Sequence, residues 1–157
     1  IVDKMSVELV GDVNQECRNI VRELDLEKIV VYKGYLPHSE AFRVMREADV
    51  LFLPIDNRLT NQAGCYVVPG KLYDYIGSAT PILMVGPRHC DASDIIINDG
   101  FGVTFEISQI DEIKKFLLSS IGKNKNSQGN ANIRKYEREF LAHEFYEMLN
   151  ECVNQLE

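Results

Sequence analysis

Four cysteines and three histidines are all that this 157-residue chain offers a soft metal, and they are widely scattered. Cys17, Cys65, Cys90 and Cys152 form no C-x-x-C pair, and His38, His89 and His143 do not supply the tight spacing of a zinc set. Buried or idle thiols in a reducing cytoplasm are the expectation. A dense basic face is also lacking. The 17 Lys and Arg are outnumbered by 24 Asp and Glu, and the formal charge of −7 argues against a dedicated nucleic-acid binder. A small anionic ligand is still open to such a chain, because a phosphate needs only a few N–H groups and one or two cations. No apolar run approaches the roughly 20 residues of a membrane-spanning helix. No signal peptide is evident. The G-x-S-x-G elbow, the Walker loop and the G-x-G-x-x-G fingerprint are all missing. There is no D-x-D pair to hold a metal–diphosphate, so neither a metal nor a cofactor is expected.

What is present is an ordinary globular composition, 45% hydrophobic and 26% charged, at the length of one domain. Short β-branched runs alternate with amphipathic segments, the pattern of a parallel sheet wrapped by helices. Strands are expected at Val7–Gly11, Ile29–Lys33, Val50–Pro54, Ile82–Val85 and Gly102–Phe105. Helices are expected over residues 14–24, from Ser39 as N-cap to Ala48, over Lys71–Ser78, around Ala92–Asn98, and over 109–121 behind Ser108. Val50–Pro54 is apolar throughout, as buried parallel strands tend to be. The fold class is therefore α/β: a Rossmann-like, open, mostly parallel sheet with helices on both faces and a C-terminal helix. Residues 1–121 make the domain, 122–130 (GKNKNSQGN) a linker, and 131–157 a helix with an apolar stripe from Ile133 to Leu156. The chain opens on Ile1 rather than Met, so a piece of something longer is expected, and no internal repeat is visible.

In open α/β sheets ligands bind at the carboxyl ends of the strands. Three loops meet that description: 34–38, 55–70 and 86–93. The middle one is long and polar, which in a compact domain often marks function. It ends at Pro69-Gly70 and delivers Lys71 and Asp74 to one face of the following helix. A carboxylate there suits two ribose hydroxyls, and an ammonium with exposed helix N–H groups suits a diphosphate. A plain solvated salt bridge is the competing and commoner reading of the same pair. Tyr32, Tyr35, Tyr73 and Tyr75 offer rings to a base or sugar, although packing is the commoner use of each.

The strings VELVGDV, IVVYKGYLPHSEAFRVMREADVLFLPI, VVPGKLYDYIGSATPIL and NDGFGVTF, in this order, resemble the C-terminal domain of group 1 glycosyltransferases of the GT-B fold. The likeness runs from about Val7 to Leu118. It implies a domain that binds a nucleotide-diphosphate sugar donor, with a separate N-terminal domain for the acceptor. Asp74 matches the acid that takes the ribose hydroxyls. Gly34, Tyr35 and Leu36 match the loop against the base, and Gly64, Cys65 and Tyr66 fall in the loop facing sugar and diphosphate. Lys71, with Gly70 before it, and Arg88 are the local cations left for the phosphates.

Two departures stand out. The family's Glu, seven residues, then Glu is replaced here by Tyr66 and Asp74, which removes the usual sugar-hydroxyl acceptor and shortens the ribose acid. The strand and loop that carry the family's diphosphate Arg and Lys would precede Val7. The expectation is the donor half of a sugar transferase, inactive in isolation, cytoplasmic or at the inner membrane surface through its missing half. The alternatives are a non-catalytic nucleotide-sugar-binding module, favoured by Tyr66, and a GT-B sugar-nucleotide epimerase fragment.

Overall fold

The computed structural model describes residues 5–56, 68–120 and 133–154. The chain divides into two compact units, Ile1–Val44 and Met45–Glu157.

In the first unit, β1 (Val7–Val10) pairs in parallel with β2 (Val30–Gly34), and α1 (Gln15–Glu23) makes the crossover between them. Asn14 caps α1, its side chain accepting from the Cys17 N–H at 2.8 Å. Arg18 anchors the helix twice: its Nε donates to the Val13 carbonyl, and its guanidinium lies 4.4 Å from the centre of the Tyr32 ring on β2. Val21 is the buried apolar residue of α1. The helix α2 (His38–Glu47) begins one residue before the expected Ser39 cap. The reason is that the Pro37 carbonyl accepts from the Glu40 and Ala41 N–H groups and so opens the first turn itself.

The second unit is a three-stranded parallel sheet in the order β3 (Leu51–Pro54), β4 (Ile82–Val85), β5 (Gly102–Phe105). Two βαβ crossovers build it, through α3 (Lys71–Ser78) and α4 (Asp91–Asn98). The register pairs Leu53 with Met84 and Met84 with Thr104, so Leu51, Leu53, Ile82 and Met84 share one face. Leu72 and Ile76 of α3 and Ala92 and Ile96 of α4 close that face into the core. Helix α5 (Ile110–Ser120) covers the opposite face, where Phe116 meets Phe105 at 6.4 Å between ring centres. Helices thus lie on both sides of this sheet. The α/β class holds, with the strands divided between a two-stranded and a three-stranded parallel ladder.

One expectation about β3 is corrected. Its apolar run does not mean burial on both faces: Leu51 and Leu53 are buried, but Phe52 is 53% exposed. β3 is the edge of its ladder, and Phe52 points away from the α3–α4 core. At the other edge, Gly102 is required by proximity, since a Cβ there would sit 1.9 Å from the Ile82 carbonyl oxygen.

After residues 121–132, which include the expected linker and lie outside the described residues, a 3₁₀ turn (Ile133–Tyr136) leads into α6 (Arg138–Asn154). Ile133 and Tyr136 pack against the core. The apolar side chains that follow do not: Leu141, Phe145, Met148 and Leu149 are about half exposed or more. No helix among the described residues is long and apolar enough to cross a membrane.

Candidate functional site at the start of helix α3

Helix α3 follows β3 in a βαβ unit, so its N-terminus lies at the carboxyl edge of the second unit's sheet. Gly70 precedes it with helical backbone angles and, having no side chain, leaves the first turn without a side-chain cap. The turn satisfies itself instead. Leu72 N–H donates to the Pro69 carbonyl at 2.9 Å, and Tyr73 N–H to the Gly70 carbonyl at 3.1 Å. Both donors are thereby engaged within the turn, and Lys71 beside them is exposed.

Asp74 sits three residues beyond Lys71 on the same face, partly buried. It already makes an interaction, yet a carboxylate with two oxygens has lone pairs for further donors. Its charge is felt next door. Burial first, then the Asp74 charge, push the Tyr75 phenol above its ordinary range. The Tyr75 hydroxyl donates to the Phe52 carbonyl at 3.3 Å, which ties α3 to β3.

Arg88 stands exposed on the β4–α4 loop, a second cation at the carboxyl edge of the same sheet. This loop is braced from within by Ser93, whose hydroxyl donates to the Arg88 and Cys90 carbonyls at 2.7 and 3.0 Å and accepts from the Cys90 N–H. Ser93 is fully buried, and sequence reading did not single it out. Cys90 is buried as well, its thiol directed at the Pro87 carbonyl, so this cysteine is structural. Asp91 and Asp94 already occupy the first turn of α4 and complement its dipole, which leaves that helix end a poor seat for an added anion.

Gly34, Tyr35 and Leu36 belong to the first unit. Gly34 ends β2 at φ +67°, a conformation that only glycine adopts without strain, and its carbonyl accepts from the Gly11 N–H at 2.8 Å. The chain then presents Tyr35, whose side chain is 87% exposed, with Leu36 partly covered behind it. The four tyrosines proposed as stacking rings thus separate. Tyr32 carries Arg18, Tyr73 meets Tyr136, Tyr75 bonds Phe52, and Tyr35 stands in solvent.

Gly64, Cys65 and Tyr66 lie outside the described residues. Among the described residues no group of three His, Cys, Asp or Glu is placed to hold a metal ion. An open depression lined by Arg134, Glu137, Glu139, Phe140 and His143 lies at the start of α6 and includes none of the residues proposed to bind nucleotide sugar. The chain matches no family model, no curated protein and no solved structure, so a function assigned to it rests on its own residues.

Proposed function

We propose that the chain is the donor-binding half of a GT-B glycosyltransferase, holding a nucleoside-diphosphate sugar whose sugar passes to a glycoconjugate or polysaccharide acceptor. The observation that carries this reading is the start of α3: an exposed ammonium, Lys71, and a half-buried carboxylate, Asp74, one turn apart at the carboxyl edge of a parallel sheet. In the proposed complex Asp74 accepts from the ribose hydroxyls, charge-assisted bonds of the stronger kind. Lys71, aided by Arg88, offsets the charge that develops on the departing nucleoside diphosphate. The acceptor and its orienting groups come from a separate domain, so this chain binds donor without turning it over. A cytoplasmic site of action, at the inner membrane surface through that domain, belongs to the same proposal.

Tyr66, standing where the resemblance calls for an acid, favours a second reading in which the fold and the binding persist without the chemistry. Both readings require nucleotide binding. Backbone amide NMR of the chain during titration with UDP, GDP and related diphosphates tests it. Shifts centred on Lys71–Asp74 are expected, with weak affinity. If no nucleotide of the panel moves any of these peaks or raises the melting temperature, the proposal is wrong.

A further inference from the structure

Asp99 is the C-cap of α4, where a helix presents its last carbonyls and the negative end of its dipole. A carboxylate is disfavoured there, so the helix does not explain it. Its partners do. The Asp99 side chain is 8% exposed, with the Lys135 ammonium 2.5 Å from each of its oxygens. The Tyr136 hydroxyl donates to Oδ2 of the same carboxylate. Both partners come from the 3₁₀ turn that precedes α6.

The Tyr136 ring then reaches two further places. It stands edge-on to Phe101, a core residue, at 5.7 Å between centres. It also lies 6.1 Å from Tyr73, which sits on α3 between Lys71 and Asp74. Helix α3 is open to such support: it has eight residues and no side-chain cap at its start, and its core anchors, Leu72, Tyr75 and Ile76, leave Lys71, Tyr73 and Asp74 on its outer side. A helix this short has little stability of its own, and its first turn is the part that frays.

We propose that Asp99, Lys135 and Tyr136 form a clasp that seats the Ile133–Tyr136 turn against α3 and so positions the turn carrying Lys71 and Asp74. The three are positioning residues for the candidate site. Their effect on ligand affinity rests on the nucleotide reading above, whereas the coupling of the turn to α3 does not. The ionisation of the pair supports the geometry. Burial alone would raise the Asp99 carboxyl, but the hydrogen bonds from Lys135 and Tyr136 and the lysine charge together hold it below the ordinary range. Burial, then the bond to Asp99 and its charge, then Tyr73, hold the Tyr136 phenol well above its usual value. Acceptor and donor are each kept in the form the bond requires.

Hydrogen exchange resolved by amide, with nucleotide titration of the same samples, tests the clasp. Asp99→Asn weakens the acceptor, Tyr136→Phe deletes the donor but keeps the ring, Tyr136→Leu removes both, and Lys135→Arg keeps the cation. In Asp99→Asn and Tyr136→Leu, the Tyr73 and Asp74 amides should exchange roughly tenfold faster, together with those of residues 133–136, while Leu83 and Met84 in β4 stay protected. Tyr136→Phe should give a smaller increase at the same amides, and Lys135→Arg none. If Asp99→Asn does not fold, Tyr136→Phe decides on those amides alone. The clasp is refuted if the turn loosens while Tyr73 and Asp74 exchange as in wild type. It is equally refuted if exchange rises uniformly through the β-sheet, which is loss of global stability. Should wild type bind no nucleotide, the functional reading fails, and the exchange pattern still decides the clasp.

Discussion

At the scale of single residues, two small side chains have opposite meanings. Ala79 ends α3 in the left-handed conformation, φ +58°, which glycine adopts without strain and alanine does not. Ala79→Gly should therefore stabilise the chain by about 0.5–1 kcal/mol, read from denaturant melts. Gly102→Ala should do the reverse, costing about 3 kcal/mol or more, because its Cβ would collide with the backbone of β4 rather than with a yielding side chain. Melts in which Ala79→Gly is less stable than wild type would show that the α3 terminus is misread. The Asp99–Tyr136 bond makes a second prediction, in pH. Tyr136 titrates above its ordinary value in the folded state, so its share of stability is whole below about pH 10 and is lost as pH rises beyond. Asp99 titrates below its ordinary value, so its share is present above about pH 4 and is lost as acid protonates the folded carboxylate. Thermal melts should show both limbs, each shallower in Asp99→Asn. Identical profiles for the variant and wild type would contradict this.

At the scale of elements, legibility followed punctuation. The bounds of α3, β4 and β5 could be read directly because Pro69-Gly70, Pro81, Gly86-Pro87 and Gly100 bracket them, residues whose backbone limits mark ends. The edge position of β3 was not legible, because composition records that Phe52 is apolar and not which neighbours its strand has. The Asp99–Tyr136 clasp was equally hidden. Its partners are 37 positions apart, and nothing local requires an acid at a helix C-cap to find a phenol. Ser93 was hidden for a related reason, since its work is to close a loop whose shape only the fold defines. The apolar stripe over residues 131–157 was legible, but not that its first residues form a separate 3₁₀ turn before α6. Ile133 and Tyr136 of that turn are seated, while Leu141, Phe145 and Leu149 of α6 remain open. Exposed apolar surface of this kind favours association. Sedimentation velocity should show the chain associating as concentration rises, and Phe145→Glu should suppress it. A chain that stays monomeric at every concentration would show that this face is inert by itself.

At the scale of the whole molecule, the α/β class was legible from alternation alone, and its division into two ladders in two compact units was not. Strand pairing depends on contacts distant in sequence, which periodicity does not encode. The candidate site divides in the same way. Lys71, Asp74 and Arg88 belong to one unit, Gly34 to Leu36 to the other, and the long polar loop bearing Gly64, Cys65 and Tyr66 lies outside the described residues. The central claim therefore narrows to Asp74 and the ribose. The direct measurement is calorimetric or NMR affinity of wild type and Asp74→Asn for a nucleoside diphosphate and for its 2′,3′-dideoxy counterpart. If Asp74 accepts from the ribose, the substitution removes about 1.5–3 kcal/mol, so affinity for the ordinary nucleotide falls roughly ten- to hundredfold. The dideoxy nucleotide should bind both proteins equally, and stability should change by less than about 1 kcal/mol. Ordinary nucleotide bound as tightly by Asp74→Asn as by wild type would contradict the ribose role, and the site assignment would fall with it.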